Sequence, residues 1–124
     1  MSSKNSKIRV GISCGDPNGI GLEALADAFR DERTLASIVP VVFAPRALAE
    51  RAFENIAWGE VGDASEARPG QINVLDFEAA EFTHQPGEAT QQAGAVAMES
   101  LQRAVGHLAK TAVDVLVTAP INKD

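Results

Sequence analysis

The chain has 124 residues, 45% of them hydrophobic and 23% charged, with 17 Asp and Glu against 11 Lys and Arg for a formal charge of -6. These proportions exclude a disordered chain, and an acidic balance with no block of Lys and Arg argues against nucleic acid as a partner, because its phosphates need clustered cations. Cys14 is the only cysteine, which rules out an internal disulfide and a thiolate metal cluster and fits a reducing, cytoplasmic setting, and no run is apolar enough to span a membrane.

In chain order, the polar residues Met1 to Lys7 lack the apolar core of a signal peptide and are expected to fray. Lys7 to Ser13 alternates and then turns fully apolar, predicting a first strand that enters a buried sheet. It empties into the turn Gly15-Asp16-Pro17-Asn18-Gly19-Ile20-Gly21. Leu22, Leu25, Ala26, Ala28 and Phe29 then recur every three or four residues, which predicts a helix to about Arg30. Ile38 to Ala44 is β-branched and predicts a second buried strand despite Pro40, and Pro45 opens a second helix through Leu48 and Phe53 toward Ile56. Trp58 to Gly70, punctuated by Gly59, Gly62, Pro69 and Gly70, reads as loop or a short irregular element. Ile72 to Phe77 predicts a third strand, and Glu78 to Gly87, carrying His84, a surface loop. From Glu88 to Lys110, residues Ala93, Val96, Ala97, Ser100, Leu101, Ala104, Val105 and Leu108 mark one face of the longest helix. Val113 to Val117 predicts a fourth strand that ends in Thr118-Ala119-Pro120-Ile121-Asn122-Lys123-Asp124. The alternation of strands and helices predicts an α/β fold, an open sheet with flanking helices, and its few elements predict a fragment or a domain completed by another segment.

Strand, close glycines and helix in succession form a natural seat for a phosphate or dinucleotide, since glycine admits close approach and helix-start amides attract anions. The turn is not a phosphate-binding kinase loop, because Leu22 and Glu23 follow Gly21 where Lys and a hydroxyl are needed. Nor is it G-x-G-x-x-G, since the glycines stand at 15, 19 and 21; a purely structural turn is the alternative. Cys14 has no His near it in sequence and reads as a small buried apolar residue rather than a nucleophile. Asp16 suits a helix cap, a ribose contact or the turn itself. His84 and His107 lack metal-ligand spacing, and the carboxylates are scattered, so neither a metal centre nor a paired-carboxylate site is expected from spacing. Trp58 reads as a packing or rim residue. Asn122 and Lys123 follow a buried strand in a polar loop at the carboxyl end of the sheet, where a substrate phosphate or carboxylate would be held.

Three stretches together, Val10-Gly11-Ile12 with Gly15 to Gly21, Gly87-Glu88-Ala89-Thr90 with Ala93-Gly94, and Asp114 to Lys123, resemble the amino-terminal part of the 4-hydroxythreonine-4-phosphate dehydrogenases. The match is ordered and spans nearly the whole chain. It implies a partial isocitrate/isopropylmalate dehydrogenase-like fold, with residues 1-124 as the amino-terminal part and the carboxyl-terminal metal- and NAD-binding part absent. The implied reaction is NAD-dependent oxidation and decarboxylation of 4-phosphohydroxy-L-threonine to 3-amino-2-oxopropyl phosphate in pyridoxal phosphate biosynthesis. The resemblance further implies a cytoplasmic homodimer and a divalent metal (Zn, Mg or Co). The family's metal-binding histidines and its Gly-His-Thr-Glu motif come after Lys123, so the 124-residue chain is expected to be inactive alone. Gly15, Asp16, Asn18 and Gly19 are expected to shape the cofactor or inter-domain cleft, and Asn122 and Lys123 to touch a small phosphorylated substrate. Alternatives are a dehydrogenase of phosphorylated threonate or erythronate and a non-catalytic phosphate-binding remnant; Leu22, where many relatives carry Pro or an aromatic, leaves the subfamily open.

Overall fold

A computed structural model of the chain describes residues 7–15, 17, 21–78 and 90–118. Its five strands, β1 (Ile8–Ser13), β2 (Ile38–Phe43), β3 (Trp58–Val61), β4 (Ile72–Leu75) and β5 (Val115–Thr118), form one sheet in the order β3-β4-β2-β1-β5. Every neighbouring pair is parallel. The helices are α1 (Gly21–Phe29), α2 (Glu32–Ser37), α3 (Arg46–Ala52) and α4 (Gln91–Ala109), with a short 3-10 turn at Ala64–Glu66.

Strict alternation in β1 and β2 divides the core between the two faces of the sheet. Val10, Ile12 and Cys14 of the first strand and Val42 and Ala44 from the second pack with Leu22, Ala26 and Phe29 of α1 and with Leu48, Ala49 and Ala52 of α3. Val41, Phe43, Leu75 and Leu116 gather on the other side with Ala64 of the 3-10 turn and Ala104 and Leu108 of α4. The connection β1-α1-β2 moves across the sheet in one direction and β4-α4-β5 in the other. Crossovers of a single hand then require helices on opposite faces, which is the arrangement found.

Four strands and three helices are expected from the sequence; α2 and β3 are additional. α2 buries none of its six residues, so no apolar stripe announces it, and it depends on its cap, with Asp31 accepting from the Arg33 amide. The short edge strand β3 lies within the segment read as loop, where Gly59 and Gly62 imitate turn punctuation, and it pairs only with β4. The second helix ends at Ala52 rather than near Ile56, and Asn55 just beyond takes a left-handed φ of 65° that breaks the helical path. The longest helix begins at Gln91, three residues later than expected, because Thr90 caps it by accepting from the Ala93 amide. Pro40 is tolerated inside β2 because the ladder to β4 begins only at Val41, and its carbonyl accepts from the side chain of Asn73.

Candidate functional site at the carboxyl edge of the sheet

In an open parallel sheet the ligand crevice lies beyond the carboxyl ends of the strands where the order of connection reverses. Here that point falls between β1, whose chain continues toward β2, and β5, which is reached from β4 on the other side. The two strands are in register with Ser13 opposite Thr118, so both end at the same level. Ser13, the last residue of β1, and Thr118, the last of β5, therefore lie side by side at the crevice end of the sheet.

Gly15 is buried with φ 68°, a left-handed conformation that suits a residue without a Cβ and carries the chain sharply off the end of the strand. Pro17 is also buried. Asp16, Asn18, Gly19, Asn122 and Lys123 lie outside the described residues, as does His84. Of the six residues expected to form the site, Gly15 alone is therefore placed, and it stands at the switch point.

Two serines that sequence reasoning missed are buried at this edge. The hydroxyl of Ser100, buried midway along α4, accepts from the Cys14 amide at 2.8 Å and donates to the Phe43 carbonyl. It thereby ties α4 to the carboxyl ends of both central strands. Its signal was a polar residue on an otherwise apolar helix face. Ser13, the last residue of β1, has a buried hydroxyl with no hydrogen-bond partner. Cys14 beside it is buried among apolar side chains, in agreement with the packing role expected. Trp58 is partly buried against the same cluster, also as expected for a packing or rim residue.

Charged groups at this edge serve local structure. Asp76 follows β4 and accepts from the Arg46 amide at 2.7 Å, capping the start of α3, while the Arg46 guanidinium reaches Glu50 at 3.1 Å and Glu60 at 3.6 Å. The Asp63 carboxyl, just past β3, is held below its ordinary value by the Ser65 hydroxyl first and the Ser65 amide second, with His107 and Lys110 adding charge attraction. Away from this edge, between α1 and α2, the Asp31 carboxyl is lowered in the same sense by the Arg33 side chain and amide. His107 stands in the last turn of α4 with Nδ1 at 2.9 Å from the Arg103 carbonyl and Nε2 at 3.8 Å from Asp63, its ring 5.0 Å from Phe43. It braces the helix end against the 3-10 turn.

Among the described residues no group of three or more His, Cys, Asp and Glu side chains could hold a metal ion, so these residues do not fit a divalent metal. At Gly15 the positive φ and the missing Cβ leave the backbone open to close approach. β2 ends at Phe43 and is followed by Ala44 and Pro45, which offer no carboxylate for a ribose, unlike the usual dinucleotide fold.

The family model described as pyridoxal phosphate biosynthetic protein PdxA matches residues 36–124. The chain belongs to the PdxA family. It is 33% identical over 124 residues to the 4-hydroxythreonine-4-phosphate dehydrogenase of Bacteroides thetaiotaomicron, covering 97% of this chain and 34% of that protein. It is 30% identical over 122 residues to the D-threonate 4-phosphate dehydrogenase of Salmonella typhimurium, covering 93% and 37%. The crystal structure of a 4-hydroxythreonine-4-phosphate dehydrogenase from Burkholderia phymatum superposes with a TM-score of 0.85 at 29% identity, over 96% of this chain and 38% of that one. The PdxA-family chain thus spans about a third of the length of the curated relatives it matches. Its fold is that of the PdxA dehydrogenases, as the sequence motifs implied. No helix among the described residues is long and apolar enough to cross a membrane.

Proposed function

We propose that this chain is the amino-terminal portion of an NAD-dependent dehydrogenase that oxidises the 3-hydroxyl of 4-phosphohydroxy-L-threonine, after which the β-keto acid loses carbon dioxide to give 3-amino-2-oxopropyl phosphate. The observation that supports this reading is the parallel pairing of the two strands that precede the motifs in sequence. β1 and β5 are paired with Ser13 opposite Thr118, so the Gly15 turn and the loop toward Lys123 leave the crevice end of adjacent strands. A phosphorylated substrate and a dinucleotide both need such an edge. In this reading Gly15, Asp16, Asn18 and Gly19 shape the cleft beside the cofactor, and Asn122 and Lys123 bind the substrate, Lys123 as a point charge on its phosphate or carboxylate. The assembled enzyme is a cytoplasmic homodimer. NAD supplies the hydride acceptor. The described residues present no donor set for the metal that the family resemblance implies, and no step is assigned to one.

A second reading, oxidation of D-threonate 4-phosphate, is favoured by the similarity to the Salmonella typhimurium enzyme of that name. One protein tests both. Residues 1–124 are fused to the remaining two thirds of the Bacteroides thetaiotaomicron relative, and NADH formation is followed with each substrate. Turnover of 4-phosphohydroxy-L-threonine is expected, and K123A in the same fusion should raise the KM for the substrate while leaving that for NAD near its original value. Preference for D-threonate 4-phosphate would install the second reading; no turnover of either by a folded fusion would leave a non-catalytic phosphate-binding module.

A further inference from the structure

A serine inside a helix ordinarily bonds back to the carbonyl one turn earlier, which satisfies its hydroxyl without reaching any other element. Ser37 in α2 does this, donating to the Arg33 carbonyl at 2.8 Å. Ser100, at the middle of α4, does not. Its hydroxyl reaches backbone 86 residues away at Cys14 and 57 residues away at Phe43. The other buried positions of α4 are Ala93, Val96, Ala97 and Ala104, all aliphatic, so the one polar group on that face is directed at the sheet.

The two groups it joins belong to one rung. Ser13 stands opposite Phe43 in the parallel pairing of β1 and β2, and the Ala44 amide turns the other way, toward the Leu75 carbonyl beside it in β4. Backbone groups of successive residues in a strand alternate between its two neighbours, so the Phe43 carbonyl faces β1, where the next amide is that of Cys14. The Ser100 hydroxyl stands at that rung, accepting from the Cys14 amide at 2.8 Å and donating to the Phe43 carbonyl. The end of the β1-β2 ladder is therefore fastened to α4. Gly15 follows Cys14 directly, and its φ of 68° turns the chain off the strand. Where that turn begins is set by the Cys14 backbone, and the Cys14 backbone is held by Ser100.

We propose that Ser100 is a positioning residue for the dehydrogenase: its hydroxyl fixes the ends of β1 and β2 against α4 and thereby sets the Gly15 turn at the border of the cofactor cleft. Ser100 is fully buried and touches no ligand itself. The inference rests on the reading that places the Gly15 turn beside the cofactor. Its signature is selective, because a displaced turn disturbs the cofactor side of the crevice and leaves the Lys123 side in place.

The test compares S100A with I72A in the fusion with the remainder of the Bacteroides thetaiotaomicron relative. Ile72 is fully buried as the first residue of β4, at the opposite end of the sheet, so I72A weakens the core at a distance from the Ser100 rung. Without any ligand, exchange of the Cys14 and Gly15 amides should quicken at least about tenfold more in S100A than in I72A. The affinity for NADH, read from its fluorescence on binding, should fall at least about tenfold in S100A, while KM for the phosphorylated substrate moves less than about threefold and I72A leaves both within about twofold. Ser100→Cys, which keeps the volume and supplies only a weak donor, should show the same selectivity and serves where S100A does not fold. Equal weakening of NADH in S100A and I72A would overturn the proposal, since loss of stability would then explain it. Equal weakening of NADH and substrate, or unchanged NADH affinity, would also overturn it. A parent fusion that binds no NADH would remove the dehydrogenase reading instead. Amide exchange then decides the positioning by itself, and equal rates in S100A and I72A would overturn it.

Discussion

Ser100 and Ser13 are both buried hydroxyls at the carboxyl edge of the sheet, and they should respond to the same substitution with opposite signs. Ser100 accepts from Cys14 and donates to Phe43, so alanine removes two buried hydrogen bonds at once. The expected loss for S100A is roughly 2–3 kcal/mol, read from urea unfolding of the chain. Ser13 has a hydroxyl that satisfies nothing, so S13A removes an unmet desolvation penalty and is expected to leave stability unchanged or to raise it by about 1 kcal/mol. A loss of stability in S13A comparable to that in S100A would show that the hydroxyl is not an orphan. Asn73 belongs to the same class of buried polar residue but is fully satisfied, accepting from the Arg68 amide and donating to the carbonyls of Pro40 and Arg68. Among the described residues, a buried side-chain hydroxyl without a partner is thus found only at the strand end where the candidate site begins.

Elements were legible where they contribute an apolar face to the core, and illegible where they are held by caps and edges. β1, β2, β4, α1 and α4 all show their period in sequence because each buries a face of the sheet or a stripe of helix. α2 and β3 escaped notice because α2 buries nothing and β3 is a short edge carrying a glycine. The site followed the same division: the glycine turn was visible from its spacing, but its partnership with β5 depends on strand order, which no local pattern encodes. The 3-10 turn after β3 offers a pH test of such cap-held structure. Its cap, Asp63, has a carboxyl lowered chiefly by Ser65, so the deprotonated form is favoured by folding. A depressed carboxyl contributes stability that is present above its unfolded value of about 3.9 and is lost as pH falls through the lower folded value. The thermal midpoint of Asp63→Ala should therefore lie below that of the wild-type chain at neutral pH, with the gap closing below about pH 4. A gap that stays constant on acidification would show that the carboxylate charge plays no part.

At the scale of the whole molecule, the order β3-β4-β2-β1-β5 makes the sheet asymmetric in protection. β1 and β2 each have neighbours on both sides and core on both faces. β5 has one neighbour, an exposed pair of valines and an outer edge that meets no other strand among the described residues. β3 is the opposite edge, but its end is covered by the 3-10 turn, with Val61 and Ala64 both buried in the α4-side cluster. Local opening free energies follow such differences in burial, so amide exchange should rank the strands. In the 124-residue chain, amides of β1 and β2 are expected to exchange slowest, those of β3 faster, and those of β5 fastest of all strands. If β5 were already as protected as β1, its outer edge would not be free.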